Sequence, residues 1–164
     1  MTKETPTSTD DLASQLQLLL DEREITRLLL ALSRTVDQKD FIGLASLYAV
    51  DGALITPRGT HRGRAGLAEF VAKDIGHYAA LHHISAAHDI NIHPGAETAS
   101  ARMTLHATHV SDSAAMAFDT VGGFYDFQLI REDGQWRIKE NRIHPQWHFE
   151  VPGRTPVTHP GNER

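Results

Sequence analysis

The chain changes its hydrophobic period once, near Tyr78, and that change constrains the fold more than any other feature. Before it, apolar residues recur every three or four positions. Leu12, Leu16, Leu19 and Leu20 form one such stripe, and Ile25, Leu28, Leu29, Leu32 and Val36 continue it. This is the period of an amphipathic helix. Asp10 or Asp11 can cap its start, and a break is expected near Asp21. Asp40 caps a second, shorter helix, "FIGLASLYAV", with Phe41, Leu44, Leu47 and Tyr48 facing inward. "GRAGLAEFVAKDIGHY" predicts a third, with Leu67, Phe70, Val71 and Ile75 in helical spacing. A short strand, "GALIT", lies between the second and third helices. After Tyr78 come four β-type runs: "LHHISAAHDINI", "TASARMTLHATHV", "AAMAFDTVGGFYDFQLI" and "QWRIKENRIHPQWHF". The turn segments "HPGAE", "SDS" and "REDG" separate them. Helices followed by a meander predict an α+β domain with helices covering one sheet face. The pair Gly122–Gly123 marks a bend or bulge, so the sheet should be curved. Helices closing a curved sheet leave a cone with an apolar interior, a natural small-molecule pocket.

At 164 residues the chain suits one domain, expected over residues 10–150, after a disordered leader at 1–9. Residues 151–164 hold three prolines and two glycines and predict an extended tail. The net charge of −5, with no basic run, gives no electrostatic footprint for nucleic acid. The absence of cysteine excludes disulfides, thiolate catalysis and zinc–thiolate sites. No stretch approaches the ~20 apolar residues of a membrane helix. The polar, acidic start "MTKETPTSTDD" lacks a secretory pattern, so a cytoplasmic protein is expected.

Three stretches carry a family resemblance. "DEREITRLLLALSRTVDQKDFIGLASLYAVDGAL" resembles the opening helices and first strand of the NTF2-like superfamily, specifically its SnoaL-like branch. "RGTHRGRAGLAEFV" is similar to the entry to its third helix, and "GGFYDFQLIREDGQWRIKENRI" to its last hairpin. The resemblance covers roughly residues 21–149. Within the superfamily the chain looks most like the scytalone dehydratase and bile-acid dehydratase groups. "RTVDQKDF" resembles the stretch holding their catalytic aspartate, which maps to Asp37. Their strand histidine maps to His83, and a second histidine on the next strand maps to His109. The tyrosines of those enzymes have no counterpart here, because the matching positions are Leu32 or Val36, and Thr56 or Pro57.

The residues themselves leave some of this open. Alternation on "ASARMTLHATHV" puts Ala101, Met103, Leu105, Ala107 and His109 on one face. On the preceding strand Ile84, Ile90 and Ile92 share parity with His82, which favours His82 facing inward, whereas the resemblance favours His83. A bulge near Ser85–Ala87 would reconcile the two, because an inserted residue switches faces. His82 is therefore kept as a substrate-binding candidate beside His83. Tyr125, Trp147 and Phe149 are expected to line or close the cavity mouth. His88 and His93 lie near turns and read as surface residues. His144 and His148 stand at i, i+4, a spacing that suits a metal only on a helix. Pro145 and the β context argue against that.

The resemblance implies a cofactor-free dehydratase, isomerase or cyclase acting on a small hydrophobic cyclic carbonyl compound. His83 would take a proton next to the carbonyl. His109 would donate to the leaving hydroxyl or the developing enolate, and Asp37 would orient His83. No metal ligand set is assigned. A binding module of the same fold and a histidine-ligated metal enzyme are the competing readings. Under each, the resemblance implies a homodimer, with no nucleic-acid or membrane partner.

Overall fold

The computed structural model describes residues 9–114 and 116–153. The expected leader and tail therefore fall mostly outside the described residues. Thr9 is not part of a leader, since it opens the first helix.

That helix, α1 (Thr9–Asp37), runs unbroken for 29 residues. The break expected near Asp21 does not occur, because Asp21 is 2 % exposed and anchored rather than looped out. Its Oδ1 accepts bonds from Arg131 Nη2 at 2.6 Å, Gln17 Nε2 at 3.1 Å and Trp136 Nε1 at 3.3 Å. Those bonds tie the middle of α1 to the last hairpin. Burial alone would raise the Asp21 carboxyl pKa, but its bonds to Arg131, Trp136 and Gln17 outweigh that and hold it below the usual value. The helix buries its stripe only from Asp21 onward; Leu12, Leu16, Leu19 and Leu20 stay exposed, contrary to the expectation for the first stripe.

Asp40 caps α2 (Phe41–Ser46) by accepting the Gly43 N–H at 2.8 Å. The helix is shorter than expected, and Tyr48 already belongs to β1 (Tyr48–Thr56). A strand missed from the sequence, β2 (Gly59–Arg62), folds back on β1. With four residues it is too short to display a period. Then come α3 (Leu67–Ile75), β3 (Ala80–Asn91), β4 (Thr98–Asp112), β5 (Ala117–Glu132) and β6 (Gln135–Val151).

The six strands form one mixed sheet, ordered β2-β1-β6-β5-β4-β3. The last four make the expected meander, and β1 joins β6 in parallel. Asp133 and Gly134 at the β5–β6 turn both have positive φ, at 51° and 74°, as a two-residue type I′ hairpin requires. Ile25, Leu29, Leu67, Phe127, Trp136 and Ile138 are among the fully buried core residues.

Two irregularities shape the inner face. The β5–β6 register shifts between Gly122 and Gly123, leaving Gln146 without a partner opposite β5. A Cβ on Gly123 would stand 2.0 Å from the His144 carbonyl oxygen, and one on Gly122 would strike the Trp147 ring at 2.0 Å. Glycine is needed at both points, and the sheet bends there as the pair suggested. The second irregularity lies on β3 between Ala86 and Asp89, with Ala87 at φ 51°. Before it Leu81, His83 and Ser85 point inward; after it His88, Ile90 and Ile92 do. The bulge thus removes the parity conflict between the histidines and the isoleucines.

Candidate active site

On β4 the inward row Ala99, Ala101, Met103, Leu105, Ala107 and His109 is buried, while Arg102, Thr104 and His106 are exposed between its members. In the β3–β4 register Leu81 pairs with His109 and His83 with Ala107. The two histidines are therefore diagonal neighbours on the inner face, with ring centroids 5.7 Å apart.

Asp37, the last residue of α1, meets His83 twice. Its Oδ1 lies 2.7 Å from His83 Nδ1, and its Oδ2 accepts the His83 backbone N–H at 3.1 Å. The helix end is held in register by Lys39, whose φ is positive and whose ammonium bonds the carbonyls of Gly76 and Tyr78 ahead of β3. An ionised carboxylate only accepts, so opposite ionised Asp37 the Nδ1–H donates, and in the neutral ring Nε2 then keeps its lone pair. The His83 side chain is 10 % exposed, which keeps this pair largely out of water.

His109 has its own carboxylate. Its Nδ1 lies 3.2 Å from Asp119 Oδ2, and the same oxygen lies 3.2 Å from His148 Nε2. Burial lowers the His109 pKa below the ordinary histidine value; Asp119 pulls it back up and His83 pushes it further down. The tilted Tyr78 ring packs 4.9 Å from the His109 ring. Asp119 was missed from the sequence. Counting outward from the "SDS" turn pairs it with His109, and a charge inside "AFDTV" was the available signal.

His83, His109 and His148 face a cavity of about 300 Å³. Its apolar walls come from α1 (Leu32, Val36), α2 (Leu44), α3 (Phe70, Val71, Ile75) and β4 (Met103, Leu105). Arg58 and Asp74, 2.7 Å apart, stand among the lining residues, as do Tyr48, Tyr125 and Asn141. The positions matching the missing tyrosines, Leu32, Val36, Thr56 and Pro57, line the cavity without a phenol, and Tyr48 and Tyr125 bring phenols to it from other elements.

Four expected positions need correction. His82 is exposed on the outer face, since His83 takes the inward place on β3. Trp147 does not line the cavity. The bulge at Gln146 turns it outward, where it lies across Gly122 and meets the His106 ring edge-on at 5.8 Å. Phe149 shares that outward parity and is 62 % exposed. His88 is half-buried rather than a surface residue, with its Nε2 2.8 Å from Ser85 Oγ. Among the described residues no three His, Asp or Glu side chains gather to hold a metal ion. His144 and His148 part company: His148 faces the cavity, while His144 stacks on Phe124 outside it.

A curved mixed sheet closed by helices over an apolar cavity, with a histidine–aspartate pair in its wall, defines an α+β cone of the NTF2-like superfamily. Residues 17–142 match the SnoaL-like domain model, and the chain belongs to that family. Solved structures share its fold at low identity. A candidate scytalone dehydratase from Novosphingobium aromaticivorans is 19 % identical with a TM-score of 0.73, over 88 % of this chain and 98 % of that one. A type 2 hexachlorocyclohexane dehydrochlorinase, LinA, is 17 % identical with a TM-score of 0.74, over 88 % and 99 %. LinA-type3 from Novosphingobium barchaimii is 16 % identical with a TM-score of 0.74, over 84 % and 94 %. No curated protein matches the chain. Among the described residues no helix is long and apolar enough to cross a membrane.

Proposed function

We propose that the protein is a cofactor-free lyase that removes water from a small cyclic β-hydroxy ketone by acid–base chemistry. The observation that carries this reading is the 2.7 Å contact between Asp37 and His83 in the wall of a mostly apolar cavity. Neutral His83, protonated on Nδ1, takes the proton next to the carbonyl through Nε2. Asp37 then stabilises the imidazolium. Protonated His109 delivers a proton to the departing hydroxyl, which leaves as water, and the former C–H electron pair becomes the new double bond. His83 ends with one proton more and His109 with one fewer. The contact of His109 with Asp119, and of Asp119 with the half-exposed His148, offers a route for restoring them through solvent. Low water content in such a cavity strengthens each of these interactions. The dehydratase and dehydrochlorinase neighbours share the fold on which this chemistry is proposed.

The test is a panel of cyclic β-hydroxy ketones, followed by the ultraviolet absorbance of the conjugated enone product. A His83→Ala variant is expected to lose on the order of 10²–10⁴-fold in kcat. Turnover that survives this change within a few-fold excludes the reading, and ligand affinity without any turnover favours a binding module.

A further inference from the structure

The cavity has an inner end that the proton-transfer chemistry does not use. Along β6, the inward residues beyond Ile143 are Asn141 and then Ile138, the neighbour of Tyr48 on β1. On β5, Tyr125 lies four residues from Val121, the partner of the His83–Ala107 row. At a rise of about 3.3 Å per residue, these groups sit well along the sheet from the histidines. They are also buried. Tyr48 is 1 %, Asn141 2 % and Tyr125 8 % exposed.

Their hydrogen bonding is incomplete. Asn141 Nδ2 donates to the Tyr48 hydroxyl oxygen at 3.1 Å. Asn141 Oδ1 is fully buried and has no partner among the described residues. Among the described residues the Tyr48 hydroxyl accepts from Asn141 and donates to no partner, and the Tyr125 hydroxyl makes no hydrogen bond. Burial raises the pKa of both phenols, and the charge of Asp37 adds to the effect on Tyr125, so both remain protonated donors. An unpaired buried acceptor carries a desolvation cost that native interiors rarely leave unmet. A purely apolar ligand would leave that cost standing, whereas one with matching polar groups removes it.

We infer that Asn141, Tyr48 and Tyr125 form a polar floor that selects an oxygenated ring substrate, accepting a hydroxyl on Asn141 Oδ1 and donating to a ketone oxygen from Tyr125. The inference deepens the lyase reading and rests on it only in using the same cavity. It sets the substrate class apart from apolar halogenated rings, which bring no donor for Asn141. A site built around a polar group rejects the analogue lacking its partner far more strongly than an apolar pocket rejects a change of size. Asn141 and Tyr48 are binding groups and take no part in the proton transfer.

The experiment measures dissociation constants of the full-length protein for tetralin, 1-tetralone and 6-hydroxy-1-tetralone, which share one ring system. None of the three is a β-hydroxy ketone, so binding is read without turnover. Affinity should rise at each step, by at least tenfold overall. In the double variant Tyr48→Phe/Asn141→Leu, which removes both hydrogen-bond partners together, the gain from the hydroxyl should vanish while tetralin binds as before. In Tyr125→Phe the gain from the ketone should vanish. The infrared carbonyl stretch of 1-tetralone bound to the unmodified protein should move to lower wavenumber, a readout that needs no variant to fold. Equal affinity for the three probes, an unshifted carbonyl, or an unchanged ranking in folded variants would overturn the inference. Repeating the series in His83→Ala separates the two proposals. That variant should lose elimination and keep the ranking, so the floor and the acid–base pair fail independently.

Discussion

Replacing Asp37 by Asn tests the site at its most specific contact. The carboxylate serves two N–H groups at once, the His83 ring at 2.7 Å and the His83 backbone at 3.1 Å. An Asn side chain has one oxygen and can serve only one of them. If that oxygen keeps the backbone bond, the amide NH₂ faces Nδ1. The ring must then accept at Nδ1 and carry its proton on Nε2, where the substrate proton should go. A hydrogen bond to a charged group is worth about 1.5–3 kcal/mol, and its upper end corresponds to a loss of roughly 150-fold. Tautomer reversal adds to this, so kcat is expected to fall by about 10²–10⁴-fold with little change in KM. The assay is enone formation on the best substrate from the panel. Nitrogen-15 NMR of the imidazole supplies a readout that needs no substrate: His83 should be protonated on Nδ1 in the unmodified protein and on Nε2 in Asp37→Asn. A wild-type His83 protonated on Nε2, or a variant within threefold of wild-type turnover, would refute the reasoning.

Three further outcomes follow from the same structure. Asp21→Ala strands Arg131 and the Trp136 indole and should destabilise by about 3 kcal/mol in chemical denaturation. Because the folded Asp21 pKa lies below the ordinary carboxyl value of 3.8, its contribution is present above that value and lost as pH falls through the lower folded one, so the variant should lose less stability than wild type across that acid range. Since burial lowers the His109 pKa below 6.5, its NMR titration should fall below that value, and kcat should decline as pH rises through it; Asp119→Asn should move the midpoint lower still. Gly123→Ala would place a Cβ 2.0 Å from the His144 carbonyl oxygen and should cost about 2–3 kcal/mol, read as a melting temperature lower by roughly 5–10 °C.

Much of the architecture is local in origin, and for that reason it was legible. The change from helical to alternating period near Tyr78 separates helices from meander, because each period reports which side of one element meets the core. Asp40 announces its cap, and the β4 row ending in His109 follows from alternation alone. Alternation fails wherever a strand gains a residue. The bulge at Ala87 decides that His83 and not His82 faces the cavity, and the bulge at Gln146 sends Trp147 out and leaves His148 in. The parity of Ile84, Ile90 and Ile92 hinted at the first insertion and the Gly122–Gly123 pair at the second, but only the packed sheet fixed which residue is inserted and which side chains change face. The parallel join of β1 to β6 is likewise a contact between distant segments. It sets Asn141 against the Tyr48 hydroxyl across 93 positions of sequence. Asp119, buried against two histidines, and Asp21, buried against Arg131, have partners distant in sequence, so no local pattern names them. Sequence by itself determined the order and kind of every element but the four-residue β2, because local periodicity and capping act within a few residues. Tertiary structure alone decided which polar side chains share one interior, because burial and partnership are properties of the packed sheet.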